Sequence, residues 1–176
     1  MSAPTANELH GYSRILIVGN AGAGKSFLAR RLAGMTKLPL THLDNEYWKP
    51  GWVKTPRDEW DARQLELTAG ESWIIEGNYD RTMELRFAAA ELVIFLDINR
   101  LVCIWGAARR TGKKRSDLPD YLDEPGIFGR EFLDFCKLIW QYRKTGRKTV
   151  LRLRDKYPEV RFLHLRSRRA ANNTGT

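Results

Sequence analysis

One octapeptide limits what this chain can fold into more than any other feature. Gly19-Asn20-Ala21-Gly22-Ala23-Gly24-Lys25-Ser26 has glycine at its first and sixth positions, then a lysine and a hydroxyl residue. It follows the apolar run Ile15-Leu16-Ile17-Val18 directly and leads into an amphipathic segment, Lys25 to Thr36. The glycines permit a tight turn in which successive N–H groups converge, and the helix that follows adds the positive end of its dipole. Strand, cradle and helix N-terminus in that order make a seat for phosphate oxygens. Gly19, Asn20, Ala21, Gly22, Ala23, Gly24, Lys25, Ser26 and Phe27 are therefore expected to bind a nucleoside triphosphate, read as ATP. Lys25 would reach the β and γ phosphates, and the Ser26 hydroxyl would coordinate Mg²⁺.

The rest of the chain supplies a matching scaffold. Arg14 to Gly19, Leu40 to Asp44, Ser72 to Gly77, Leu92 to Asp97 and Val160 to Leu165 are short, nearly continuous apolar runs, as strands buried on both faces should be. Helix-length amphipathic segments separate them: Lys25 to Thr36, Arg57 to Ala69, Arg81 to Ala90, Arg100 to Thr111, and a long one from about Phe128 to Tyr157. A repeated strand-helix order predicts an α/β layered fold on a parallel sheet. A length of 176 residues suits a single domain spanning 1–176. Two segments break the regularity, Glu46 to Pro56 and Gly112 to Gly126, and both are expected to face substrate, since positioned loops tend to carry function.

In an open parallel sheet, ligands gather beyond the carboxyl ends of the strands. Asp44 and Glu76 stand there. Asp44 is assigned to take the proton of an acceptor hydroxyl, and Glu76 to hold the water shell of magnesium. Asp97 is read instead as a helix cap, because Asn99 and Arg100 open the next helix at once. Trp48 and Trp52 fit either a substrate contact or a hydrophobic plug over the sheet's end. Arg109, Arg110, Lys113, Lys114 and Arg115 begin at a helix end, where cations suit the dipole, yet run on into a loop. That continuation favours a lid, about residues 112–127, closing over the phosphates. The run Arg143, Lys144, Arg147, Lys148, Arg152, Arg154 and Lys156 is spread around a helix and reads as a solvated face.

Charge is uneven. Residues 1–100 carry 12 Lys+Arg against 13 Asp+Glu, whereas residues 101–176 carry 18 against 8. The excess calls for an anionic partner without choosing among nucleotide phosphates, nucleic acid and an acidic membrane surface. Cys103 and Cys136 have no metal-ligand spacing and are expected to be buried free thiols, and His10, His42 and His164 are too scattered to suggest a zinc site. No run is long enough to span a membrane, and Met1 to Gly11 lacks a signal-peptide pattern, so a cytoplasmic protein is expected.

A resemblance follows from these residues. The phosphate loop, Leu43-Asp44, Tyr47-Trp48-Lys49-Pro50-Gly51-Trp52, Trp73-Ile74-Ile75-Glu76-Gly77-Asn78-Tyr79, Leu85-Arg86 and Val93-Ile94-Phe95-Leu96-Asp97 together resemble the adenylate-kinase-like proteins called DNA topology modulation proteins. The resemblance implies a P-loop NTPase fold: a three-layer α/β/α sandwich on a five-stranded parallel sheet in the order 2-3-1-4-5, with a lid. It also implies γ-phosphoryl transfer from ATP with Mg²⁺ to a small acceptor, with Lys25, Asp44, Arg110 and Arg115 catalytic, and Asp44, Trp48, Asn78 and Arg86 on the acceptor. Arg86 looks like the arginine such kinases point at an acceptor's anionic group. The chain departs from the pattern at Glu76, where aspartate is expected, at Gly106, where an arginine would stand, and at Asn99, where proline is common. A nucleotide-dependent nucleic-acid-binding module is the alternative; its phosphate contacts would make binding steeply salt-dependent.

Overall fold

The computed structural model describes residues 6–109 and 129–175. After a short helix α1 (Ala6–Leu9), the chain forms β1 (Arg14–Gly19), α2 (Lys25–Thr36), β2 (Leu40–His42) and α3 (Leu43–Tyr47). A two-stranded hairpin, β3 (Trp48–Lys49) and β4 (Val53–Lys54), leads to α4 (Arg57–Ala69), β5 (Trp73–Glu76), α5 (Met83–Ala89), β6 (Leu92–Leu96) and α6 (Arg100–Ala108). Beyond the second described stretch's start come α7 (Arg130–Gln141), α8 (Gly146–Lys156), β7 (Arg161–Leu165) and α9 (Arg168–Asn172).

Five strands form one parallel sheet in the order β2-β5-β1-β6-β7, which is the expected 2-3-1-4-5 order. Strand residues alternate between two cores. Ile15, Ile17, Ile74, Leu92, Ile94 and Leu96 pack with Leu28 and Leu32 of α2 and Cys103 of α6. Leu16, Val18, Ile75, Val93 and Phe95 face the other way, onto Trp60, Phe87, Val150 and Leu153 of α4, α5 and α8. The period of two, with helices on both sides, explains why these strands read as unbroken apolar runs. Each of these named strand residues, whichever way it points, is buried.

Three features differ most from the sequence expectation. The second strand stops at His42, and Asp44 lies in the short helix α3. The segment expected to be an irregular loop at Glu46 to Pro56 contains an antiparallel hairpin that pairs Trp48 with Lys54 and Lys49 with Val53, turning through Gly51 and Trp52 at positive φ. The long helix over Phe128 to Tyr157 is broken. A 3₁₀ turn at Tyr142–Lys144 separates α7 from α8 and buries Tyr142 in the second core. Gly146 starts α8 against the Tyr142 ring, where a Cβ would overlap it. Among the described residues no helix is long and apolar enough to cross a membrane. Cys103 is buried and Cys136 only half-buried.

Candidate nucleotide and acceptor site

The octapeptide wraps the N-terminus of α2. Gly24 enters the helix at φ 100°, in the left-handed region, and Gly22 at φ 75° lies against α6, where a Cβ would overlap the Cys103 carbonyl. Both positions need glycine, one for its backbone angle and one for angle and contact together. Asn20 is buried and donates from Nδ2 to the Ile139 carbonyl at 2.9 Å, which ties the loop to α7. Lys25 Nζ donates to the Asn20 carbonyl at 3.3 Å, folding its ammonium over the loop.

Four side chains from separate parts of the sequence meet at the end of β5. The Glu76 carboxylate lies 3.6 Å from Lys25 Nζ, accepts from Ser26 Oγ at 3.1 Å and sits 2.9 Å from His42 Nδ1. Burial pushes this carboxyl up, but Lys25, His42 and Ser26 together outweigh it and hold it below the usual carboxylate range. Glu76 thus remains an anion in a nearly dry position, 7% exposed. Ser26 hydroxyl and Glu76 carboxylate are hard oxygen donors, the kind that suits Mg²⁺ beside phosphates. Among the described residues no three His, Cys, Asp or Glu side chains form a metal cluster of their own.

Asp44 is exposed at the first turn of α3 and accepts from the Tyr79 hydroxyl at 2.8 Å. Burial and the Asp44 charge push the Tyr79 phenol far above its ordinary value, so it stays a donor. Asn78 is expected on the acceptor, but both its amide atoms are occupied by the loop: Gly19 N donates to Oδ1 at 3.1 Å and Nδ2 donates to Gly19 O at 2.8 Å. Arg86 departs further from its expected role. It is wholly buried, donating to Thr82 Oγ1 at 2.9 Å, to Gln64 Oε1, and to the carbonyls of Asn78 and Tyr79. Burial pulls its guanidinium down to about 9. Its geometry is that of a clamp beneath the 78–79 turn rather than an acceptor contact. Trp48 packs edge-on against Tyr47 and Trp52, with ring centroids at 5.0 and 5.5 Å.

Two clefts flank this arrangement. One, about 310 Å³, runs from Gly22, Gly24 and Phe27 to Trp105, Arg109 and Arg168. Arg168 donates to the Gly22 carbonyl at 2.8 Å and to the Val102 carbonyl at 3.2 Å. Its guanidinium fills the space that a side chain at Gly106 would need, which accounts for glycine there. The other cleft, about 450 Å³, is floored by Tyr47, Trp60 and Tyr79. Arg110 and Arg115, with the rest of the expected lid at 112–127, lie outside the described residues.

Asp97 is not the cap of α6; Asn99 is, accepting from Leu101 N at 2.9 Å. Asp97 instead accepts from Arg147 Nε at 3.0 Å and pairs with His164 Nε2 at 2.9 Å. Arg147 is thereby drawn out of the basic face expected to be solvated. His42, Tyr79 and Arg168 were not anticipated. His42 could have been, since it precedes Leu43-Asp44 at a strand end; Arg168 stands 146 residues from Gly22 and carries no local signal.

No family model and no curated protein matches this sequence. Solved structures do match. Shikimate kinase from Bacteroides thetaiotaomicron aligns with 93% of this chain and 94% of its own at 17% identity and TM-score 0.55. The likeness is one of fold, shared with a small P-loop kinase. Shikimate kinase from Acinetobacter baumannii, in complex with shikimate, covers 96% and 90% at the same identity and score. A gluconokinase from Sinorhizobium meliloti 1021 covers 92% and 91% at 16% identity and TM-score 0.51.

Proposed function

We propose that this chain is a small-molecule kinase that transfers the γ-phosphoryl group of ATP to a hydroxyl of a small acceptor. The observation that carries the reading is the Glu76 carboxylate, in contact with both Lys25 and Ser26 at the mouth of an intact phosphate loop, with Asp44 beyond the neighbouring strand end. Loop N–H groups and Lys25 would hold the phosphates. Ser26 and, through water, Glu76 would hold Mg²⁺, which when bound neutralises charge on the phosphate oxygens. The exposed Trp105 ring, with Arg109 and Arg168 guanidinium carbons 4.6 and 5.7 Å from its centroid, offers a stacking face for the nucleotide base.

The transfer needs little from the protein beyond position and charge. The acceptor oxygen bonds to the γ-phosphorus, the bond from that phosphorus to the bridging oxygen breaks, and ADP leaves with that electron pair. The acceptor's proton passes to Asp44, whose Oδ1 is steadied by Tyr79 while Oδ2 makes no hydrogen bond among the described residues. The test is ADP release against a panel of small hydroxylated acceptors, comparing the protein with Lys25→Ala. Transfer is expected in the first and lost in the second, with circular dichroism unchanged; equal turnover in both sinks the mechanism.

The expected resemblance to DNA topology modulation proteins is not shown by the matches above, which are to shikimate kinases and a gluconokinase. No observation favours the nucleic-acid alternative. Arg147, Arg154 and Lys156 of the basic run are ion-paired with Asp97, Asp155 and Glu84.

A further inference from the structure

The 450 Å³ cleft has a composition that narrows the acceptor. Its floor is three rings in mutual contact: Tyr47 to Tyr79 at 4.6 Å, Trp60 to Tyr79 at 4.8 Å and Tyr47 to Trp60 at 4.9 Å between centroids. One wall, from the end of the hairpin to the first turn of α4, brings Lys54 and Arg57. Both are exposed, and among the described residues neither makes a hydrogen bond or ion pair through its side chain, although the Arg57 charge bears on Asp61. Asp80 and Arg81 complete the lining, and Arg81 is already held by Asp61 at 2.5 Å. Two cations beside a cluster of rings tilted 51–76° to one another, with one lining carboxylate, make a seat for an anion carried on an apolar body. The cleft is joined to the expected base by one residue, because Tyr79 lines it while its hydroxyl donates to Asp44.

We infer that the acceptor carries an anionic group, carboxylate or phosphate, on a ring, with the anion at Lys54 and Arg57, the ring against Tyr47 and Tyr79, and its hydroxyl toward Asp44. The inference rests on the kinase reading for what the site is used for, and on the cleft alone for what the site holds. Rings supply most of the contact; the cations supply the discrimination between charged and neutral ligands of one shape.

Binding to the full chain without nucleotide, followed by calorimetry, separates the two anion sources and the two claims. In one arm 4-(hydroxymethyl)benzoate is compared with neutral 1,4-benzenedimethanol; in the other, thymidine 5′-monophosphate with thymidine. In at least one arm the anion is expected to bind about tenfold or more tighter than its neutral partner. Lys54→Met with Arg57→Met should erase that difference, while Lys49→Met, on a lysine paired with Glu59 outside the cleft, keeps it. Equal binding of charged and neutral probes, no binding in either arm, or a preference that persists in the double variant overturns the inference. A charge preference retained in a protein that never transfers phosphate would leave the cleft assignment standing and remove the kinase reading instead. Transfer to neutral acceptors at rates the double variant matches would do the reverse.

Discussion

Two clusters at the carboxyl edge of the sheet use the same three kinds of residue and differ in what lies beside them. To one side of β1, Glu76 is held by His42 and Lys25; to the other, Asp97 is held by His164 and Arg147. Both carboxylates are largely buried, and both are met by one histidine and one cation. Only the first has its cation and a hydroxyl supplied by the phosphate loop, through Lys25 and Ser26. The second is built from β6, β7 and α8, and it fastens the long second half of the chain to the sheet edge. A carboxylate–histidine–cation group is thus not a signature of chemistry in itself. What it adjoins decides whether its charge acts on a ligand or on packing.

The sharpest way to break this contrast is to remove the two cations. Lys25→Ala should lower phosphoryl transfer about a hundredfold to a thousandfold in steady-state kinetics, as loss of a transition-state charge partner does. Arg147→Ala should leave turnover of the folded protein within about threefold while lowering stability by about 1–2 kcal/mol in urea titration. A large kinetic loss in the second variant would mean both clusters serve the reaction.

Replacing the carboxylates divides them less steeply. Glu76→Gln should raise the magnesium concentration needed for half-maximal turnover about tenfold or more, whereas Asp97→Asn should lose about 1–2 kcal/mol of stability with turnover unchanged.

Acid separates them through stability. Glu76 has its carboxyl held below the unfolded value, so its contribution is full above the usual carboxylate range and is lost as pH falls through the folded value. Urea unfolding between pH 6 and pH 3 (roughly the range over which carboxylates titrate) should therefore fall less steeply for Glu76→Gln than for the parent protein. An identical slope would contradict the charge partners assigned to it. The smallest difference is expected at the histidines. His42→Ala and His164→Ala should each cost no more than about 1 kcal/mol, since each removes one hydrogen bond to a carboxylate that keeps its cation.

Much of the fold was legible because burial on two faces leaves a continuous apolar run, and β1, β5, β6 and β7 carry one each. Helix interruption was not: the 3₁₀ turn at Tyr142 is forced by a ring that must enter the second core, and nothing local in Tyr142-Arg143-Lys144 announces it. The strand-to-helix turn at residues 19–26 was legible, since its residues are consecutive. The acceptor side was legible only as residue types. Asp44 stays at the mouth of the site, but Asn78 is turned onto Gly19 and Arg86 is drawn beneath the turn, because their partners come from 59 residues away in one case and from α4 and the 78–79 carbonyls in the other.

By itself the sequence determined a parallel α/β sheet with a glycine-rich turn between its first strand and second helix, because strand periodicity and glycine spacing are read along a few adjacent residues. Tertiary structure alone decided that His42 joins Glu76 beside the loop, which arginine became a buried clamp, and which rings line the second cleft. Each of those depends on side chains brought together by the crossing of distant segments, where a single hydrogen-bond partner changes a candidate ligand contact into a support.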